Sequence, residues 1–342
     1  MIDLNEKTVL VTGGTGSFGR QFVRTALAQF RLQRLIIFSR DEMKQYEMQA
    51  EMEAAFGHRE LRYFLGDVRD VGRLEMAMRS VDYVIHAAAL KQVPAAEYNP
   101  IECIRTNIYG AENVVSAALR CRVKRVIALS TDKAASPINL YGASKLASDK
   151  IMIAANNLSG DIGARFSVVR YGNVLGSRGS VVPLFLKLIR GGAKDLPITD
   201  PRMSRFWITL KGGVEFVLKC LNTMQGGEIF VPKIPSMRVV DLAEALAPGV
   251  AHRVIGIRPG EKLHEVMITM DDARMALELP DCYVIQPAFS FWRGAAESFP
   301  DAHTVAEDFE YTSNNNSRWL DAAALRQLLA KEVNGLASAT GH

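Results

Sequence analysis

The sequence predicts an α/β fold: a mostly parallel, doubly wound sheet with helices on both faces, followed by a smaller C-terminal domain. Three observations carry that expectation. Short apolar, β-branched runs alternate with segments of helical spacing through the first half of the chain. A glycine cluster at Gly13, Gly14, Gly16 and Gly19 ends the first of those runs. Near residue 176 the alternation stops, and one helix is interspersed with loops rich in glycine and proline.

Taken in order, "KTVLVTGGTGSFG" starts as a β-run from Thr8 to Val11 and breaks into glycines. From Phe18 the spacing turns helical, with Phe22, Val23, Leu27 and Phe30 on one apolar face. "RLIIFSR", "LRYFLGDVRD", "VDYVIHAAA" and "VKRVIALST" read as further buried strands, and "LEMAMRS" and "NIYGAENVVSAALRC" as helices between them. "FSVVRYGNVLG" is another strand with its exit loop. Beyond it, "SRGSVVPLFLKLIRGG" and "PITDPRMSRFW" interrupt the repeat, "GGEIFVPKIPSM" adds a strand, and "MRVVDLAEALA" begins a helix. We therefore expect a Rossmann-like dinucleotide-binding domain over 1–176, with a returning segment near 207–235. A mainly substrate-binding domain over 177–330 and a flexible tail over 331–342 complete the division.

Composition narrows the function. The chain has 342 residues, 48% of them hydrophobic and 23% charged, as in an ordinary globular protein with a sizeable core. Its 41 basic and 37 acidic residues leave a net charge of +4 without a basic run. That balance argues against nucleic acid as a partner and is compatible with a small anionic substrate. Cys103, Cys121, Cys220 and Cys282 form no metal-ligand spacing, and His86 and His264 read as packing residues, so no metal is expected. His264 is expected on a helix. No signal-peptide layout and no apolar run of membrane-spanning length is visible, so a cytoplasmic protein is expected.

The glycines after the first strand permit a tight turn, close approach of a pyrophosphate to the backbone, and an open helix N-terminus for the anion. Gly13, Thr15, Gly16, Ser17, Phe18 and Gly19 are therefore candidate cofactor contacts. At the end of the second strand stand Ser39 and Arg40, with Lys44 nearby. A guanidinium there suits a ribose 2′-phosphate, which selects NADP over NAD. The competing reading makes Asp41 the acceptor of a free 2′-hydroxyl and Arg40 a surface residue. Asp67 and Val68 fall beside the adenine, or Asp67 caps its own turn; Ala87 and Ala88 close the site at the fourth strand.

Tyr141 and Lys145 are four residues apart and share one helical face. A nearby ammonium stabilises a phenolate, so the pair can take a proton from a sugar hydroxyl while its carbon loses hydride. Thr131, at the preceding strand end, can bond the same oxygen. Tyr141 and Lys145 thus count among both catalytic and cofactor contacts.

With "TGGTGSFG", "FSRDE", "HAAALKQVPAAEYNP", "STDKAASPINLYGASK", "VVRYGNVLGSRGSVVP", "PITDPRMSRFWI" and "IGIRPGEKLHEVMI" in this order, the chain resembles the extended short-chain dehydrogenase/reductase family. Within it, the motifs resemble the UDP-N-acetylglucosamine 4,6-dehydratases, most closely the soluble C5-inverting type that begins pseudaminic acid synthesis. The resemblance spans about residues 5 to 325. It implies a lyase that oxidises C4, eliminates water across C5 and C6, and returns the hydride to C6. Its product would be UDP-2-acetamido-2,6-dideoxy-β-L-arabino-hexos-4-ulose. By the same resemblance, Asp132 is the acid at the C6 hydroxyl and Lys133 the base at C5, with the opposite assignment or a shared relay left open. An Asp in that role needs burial or a like-charged neighbour, and Lys133 needs help toward neutrality, for which Lys145 is the expected source. Alternatively, Asp132 caps the next turn and Lys133 points to solvent.

By the same resemblance Asn173, Arg205, Arg258 and Glu261 are candidate contacts to the UDP-sugar, and Arg178 in a Gly/Ser-rich loop and Lys91 after a strand end join them. Relatives imply a homo-oligomer. Three readings compete: a retaining 4,6-dehydratase, a nucleotide-sugar 4-epimerase with no use for the Asp132–Lys133 pair, and a non-enzymatic NADP-binding regulator.

Overall fold

A computed structural model describes residues 3–57, 60–160, 163–288 and 299–337, with side chains through residue 329. Six parallel strands form the frame: β1 (Thr8–Thr12), β2 (Arg34–Ser39), β3 (Leu61–Leu65), β4 (Tyr83–His86), β5 (Arg125–Thr131) and β6 (Arg165–Tyr171). Between them run α1 (Ser17–Gln29), α2 (Glu42–Phe56), α3 (Val71–Met78), α4 (Val93–Tyr98), α5 (Pro100–Ile104), α6 (Gly110–Arg120) and α7 (Leu140–Ala154). The apolar runs of β1, β2, β4, β5 and β6 are largely buried, whereas on the edge strand β3 only Leu61 is buried and Leu65 is exposed. On α1, Phe22, Val23 and Ala26 are fully buried, and each large apolar side chain so placed contributes about 1.5–3 kcal/mol.

The second half adds β7 (Asn173–Val174), α8 (Val181–Arg190), β8 (Asp195–Ile198), β9 (Ser204–Ile208), α9 (Leu210–Thr223) and β10 (Ile229–Pro232). Then come β11 (Ser236–Arg238), α10 (Val239–Leu246), β12 (Ala251–Val254), β13 (Val266–Ile268), α11 (Met270–Ala273) and β14 (Ala276–Glu278). The described chain closes with β15 (Cys282–Ile285), β16 (His303–Thr304), β17 (Tyr311–Thr312) and α12 (Ala322–Ala337).

The large sheet has the order β16-β14-β15-β10-β6-β5-β4-β1-β2-β3. Strands β1 to β6 and β10 are parallel; β15, β14 and β16 continue the sheet antiparallel. The chain direction of strand addition reverses between β1 and β4, the place where parallel α/β sheets open a crevice at their carboxyl ends. The sequence returns only a segment near 207–235 to this sheet, whereas the structure brings back strands as far as Thr304. A second hydrophobic cluster, with Trp207, Phe185, Met237, Leu242 and Leu325, lies among α8, α10, α12 and the small sheets. Helix α12 runs through residues 331–337 of the expected tail, and 338–342 lie outside the described residues. Among the described residues no helix is long and apolar enough to cross a membrane.

Candidate active site

A cleft of about 800 Å³ opens at the carboxyl ends of β1, β4, β5 and β6. Every candidate catalytic, cofactor and substrate residue read from the sequence lines it. The large sheet explains the convergence of the residues up to Lys145, because each parallel strand delivers its following loop to the same edge; Arg178, Arg205, Arg258 and Glu261 are brought in by the smaller sheets and their loops.

At one end the wall is mostly backbone. Gly13 has φ +64°, and a Cβ there would stand 2.8 Å from the Ala88 Cα, so the turn after β1 can press against the end of β4 only as glycine. Helix α1 has Gly16 at its N-cap, so no side chain caps it, and no acidic residue stands in its first turn, which leaves its N–H groups for an anion. Thr15 Oγ1 and Ser39 Oγ lie 2.9 Å apart and join the glycine loop to the end of β2. Asp41 is occupied as the N-cap of α2: it accepts from the Lys44 N–H at 3.0 Å and pairs with Lys44 Nζ at 2.5 Å. Asp67 caps its own turn, accepting from the Arg69 N–H at 3.0 Å, and stands 3.6 Å from Arg40. The residues present thus fit a dinucleotide, with N–H groups for its pyrophosphate and the half-exposed Arg40 beside the ribose position.

At the other end the wall is side chains. Thr131 Oγ1 donates to Asp132 Oδ1 at 2.9 Å. Lys133 Nζ donates to that same Oδ1 at 3.2 Å and to Glu265 Oε1 at 2.9 Å. Lys133 thus does not point to solvent, and Thr131, accepting from the Lys133 N–H at 3.3 Å, caps the turn in place of Asp132; Asp132 is 1% exposed, and its Oδ2 has no hydrogen-bond partner. The chain reaches this geometry through Gly142, where a Cβ would sit 2.2 Å from the Lys133 carbonyl oxygen. Only glycine lets α7, and Tyr141 with it, dock against the 132–134 turn. Asn139 caps α7 at Gly142 and also donates to the Gly260 carbonyl at 2.7 Å, tying the 258–262 loop to the site.

Charge states follow from burial first. Burial pushes the Asp132 carboxyl up; Lys133 opposes, and Glu265 pushes it further up. Burial alone would depress Lys133, but the Asp132 and Glu265 carboxylates outweigh it and hold the ammonium above its ordinary value. Lys145 therefore does not bring Lys133 toward neutrality as the sequence suggested. Burial also pushes the Tyr141 phenol up to about 12, with Lys133 and Thr131 pulling it back. This corrects the expected depression by Lys145, which is itself buried and held below its ordinary value by that burial, with Asp149 opposing. Asp149 accepts from Ser130 Oγ at 2.7 Å and lies 3.8 Å from the buried Arg170.

The substrate candidates divide by what they touch. Lys91 Nζ donates to the Arg178 carbonyl at 3.0 Å, and the Arg178 N–H donates to Ser17 Oγ at 3.2 Å, so the 177–180 loop bridges the cleft mouth. Arg258 stands 3.8 Å from Glu261 and is half-exposed. Asn173 lines the cleft from β7, beside the end of β6. Arg205 is buried and engaged with the carbonyls of Ser204, Leu263 and Lys262 at 2.7, 3.0 and 2.9 Å. Asn107 organises backbone: it donates to the Leu90 carbonyl at 2.9 Å and accepts from the Leu90 N–H at 2.8 Å. His86 Nδ1 meets Thr12 Oγ1 at 2.8 Å and packs at the strand end. His264 lies in a bend before β13, not on a helix, with Nδ1 2.8 Å from Ser204 Oγ. Among the described residues no group of three His, Cys, Asp or Glu could hold a metal.

Sequence reasoning missed Glu265. Its only sequence cue is the charged loop "RPGEKLHE", because its partner Lys133 lies 132 residues away in the chain.

Residues 9–287 match the family described as polysaccharide biosynthesis protein. The chain is 54% identical over 330 residues to the UDP-N-acetylglucosamine 4,6-dehydratase (inverting) of Campylobacter jejuni, covering 95% of this chain and 98% of that one. It is 42% identical over 333 residues to a UDP-glucose 4-epimerase of Rickettsia typhi, covering 95% of each. Among solved structures, that of Pen from Bacillus thuringiensis superposes with a TM-score of 0.87 at 34% identity, over 97% of this chain and 99% of that one. A dTDP-glucose 4,6-dehydratase from Streptomyces venezuelae, with NAD bound, gives a TM-score of 0.67 at 25% identity, over 75% and 86%.

Proposed function

The chain belongs to the polysaccharide biosynthesis protein family and, within the extended short-chain dehydrogenases/reductases, to the inverting UDP-N-acetylglucosamine 4,6-dehydratases; on that premise we propose that it carries out their reaction with NADP. The observation that supports this most directly is the buried Asp132–Lys133 pair joined to Thr131 at the end of β5. An epimerase needs a base at the C4 hydroxyl alone. A dehydratase needs an acid and a base more, roles that Asp132 and Lys133 would fill.

A bound nicotinamide dinucleotide supplies the hydride acceptor for C4 and the hydride donor for C6. Gly13, Gly16, the first turn of α1 and Arg40 would hold it, and Arg40 with Asp41 already spent as a helix cap favours a 2′-phosphate. In the protein's own part, Tyr141 takes the C4 hydroxyl proton, hydrogen-bonded with Thr131. Once C4 is a ketone the C5 proton is acidic. Lys133 accepts that proton, the electron pair forms the C5–C6 double bond, and the C6 hydroxyl leaves as water with the proton of Asp132. The resting contact does not stand against these roles. With the proton between Lys133 Nζ and Asp132 Oδ1, 3.2 Å apart, held on Asp132, the pair is a neutral amine and a carboxylic acid together. Reprotonation of C5 from the opposite face gives the L-arabino 4-keto product, and the reaction is the first step toward pseudaminic acid.

The 42% identity to a 4-epimerase favours one alternative, and proton NMR in deuterated buffer separates the two. With UDP-N-acetylglucosamine and no added reductant, the proposal expects a C6 methyl signal, deuterium at C5 and L-arabino couplings. D-xylo couplings would overturn inversion alone, and UDP-N-acetylgalactosamine as sole product would overturn the dehydratase.

A further inference from the structure

The mechanism above leaves one buried acid of the cleft without a role. Glu265 is 2% exposed, and its backbone N–H donates to Ser313 Oγ at 2.9 Å, which pins the loop before β13 to the core. Its Oε1 lies 2.9 Å from Lys133 Nζ and 3.7 Å from Arg205 Nε, while its Oε2 has no hydrogen-bond partner. Asp132 mirrors it from the other side of the same ammonium, with Oδ1 at 3.2 Å and Oδ2 equally unpartnered. Two buried carboxylates thus share one lysine, and only Glu265 has a second cation beside it. Among the described residues no other cation comes within ion-pair distance of Asp132.

A buried carboxylate short of countercharge takes up a proton, and a like-charged neighbour strengthens that tendency. We propose that Glu265 is a positioning residue of the elimination, the member of the pair that stays ionised and thereby keeps on Asp132 the proton that the departing C6 hydroxyl needs. The inference rests on the dehydratase reading. In the step itself Asp132 gives its proton to the leaving oxygen and Lys133 takes the one from C5. Glu265 exchanges nothing and sets the charge against which both transfers occur. The charge states agree: burial pushes Glu265 up, but Lys133 and Arg205 bring it below its ordinary value, whereas burial and Glu265 together raise Asp132.

The other charged or titratable groups around the pair are Tyr141, Lys262 and Arg170. Lys262 donates to the Ala135 carbonyl at 2.6 Å. Arg170 is held by the Met267 carbonyl at 2.9 Å and by Asp272 at 3.3 Å. His264, the preceding residue, is turned to Ser204.

The test is the pH profile of C6-methyl formation from UDP-N-acetylglucosamine for the full chain, Glu265→Gln and Glu265→Asp. Removing a negative charge lowers the proton affinity of both Lys133 and Asp132. The whole E265Q profile should therefore move to lower pH by about one unit or more, and E265D, which keeps the charge, should move less. Slower variants with an unmoved profile would overturn the proposal and leave Glu265 a packing residue. A second readout does not depend on turnover: carboxyl ¹³C NMR of aspartate-labelled protein, with the Asp132 signal assigned by D132N. That signal should titrate above the ordinary carboxylate range and fall in E265Q, with E265D between, or in E265D alone if E265Q does not fold. A signal in the ordinary range, or one unmoved in the variants, would overturn the proposal. A wild-type protein that only epimerises would fail the dehydratase reading, and the titration would still decide the role of Glu265.

Discussion

The cofactor end of the cleft is made of backbone, and most of it comes from one local stretch of chain. The turn after β1, the uncapped start of α1 and the end of β2 all lie before residue 41, and their contacts are those of a βα unit folding on itself. The elimination end is made of ionised and protonated side chains gathered from β5, β9 and the loop before β13, with Lys133 reaching across 132 residues of sequence to Glu265. The first end offers oriented N–H groups that need no tuning. The second buries two carboxylates around a part-buried ammonium, so its chemistry depends on the balance of burial against charge. An enzyme can therefore keep the first end unchanged and alter its reaction at the second, consistent with the similarity of this chain to dehydratases and epimerases alike.

If the ends are separable, damage to one should spare the other. The largest effect is expected from Lys133→Met, which removes the base and the cation between the two carboxylates. C6-methyl formation should fall about 10²- to 10⁴-fold, while cofactor affinity, read by fluorescence titration, stays within about threefold, roughly 0.6 kcal/mol. A matching loss of cofactor affinity would break the comparison.

Gly142→Ala comes next, because its Cβ would meet the Lys133 carbonyl at 2.2 Å. Forcing α7 off the 132–134 turn should cost about 1–3 kcal/mol of stability, visible as a lower melting temperature, and should slow elimination more than it weakens cofactor binding. A wild-type melting curve and rate would show that the close approach is unimportant.

The effect narrowest in reach is expected at the cofactor end. Arg40→Ala removes a charged partner for a 2′-phosphate, worth about 1.5–3 kcal/mol. NADP affinity should therefore fall about 10- to 100-fold while NAD affinity hardly changes. An equal loss for both cofactors would return Arg40 to an ordinary surface role.

The same contrast decides what could be read from the sequence. Gly13 to Gly19 and Thr131 to Lys145 each fall within one turn and its flanking elements, so spacing alone places them together. The parallel strands β1 to β6 were legible as apolar runs. Strands β14 and β16 were not, because three and two residues carry no period, and they join the sheet only through their neighbours. Arg205 read only as a contact to the UDP-sugar; it lines the cleft, and what spacing could not show is that its donors meet backbone carbonyls and its Nε lies 3.7 Å from Glu265. The tyrosine failed for a different reason. The i, i+4 spacing correctly put Lys145 on its face, but burial dominates the phenol, and the cation that acts on it is Lys133. Spacing reports neighbours along one element; burial and charge balance are properties of the whole cleft.

The central claim is that C4 oxidation and C5–C6 elimination are served by different side chains of one cleft, and Asp132→Asn tests it most directly. In a single turnover with UDP-N-acetylglucosamine, the near-ultraviolet absorbance of reduced nicotinamide should rise as in the wild type and then persist, with no C6 methyl formed. A variant that completes the reaction at the wild-type rate, or one that never reduces its cofactor, would contradict the account.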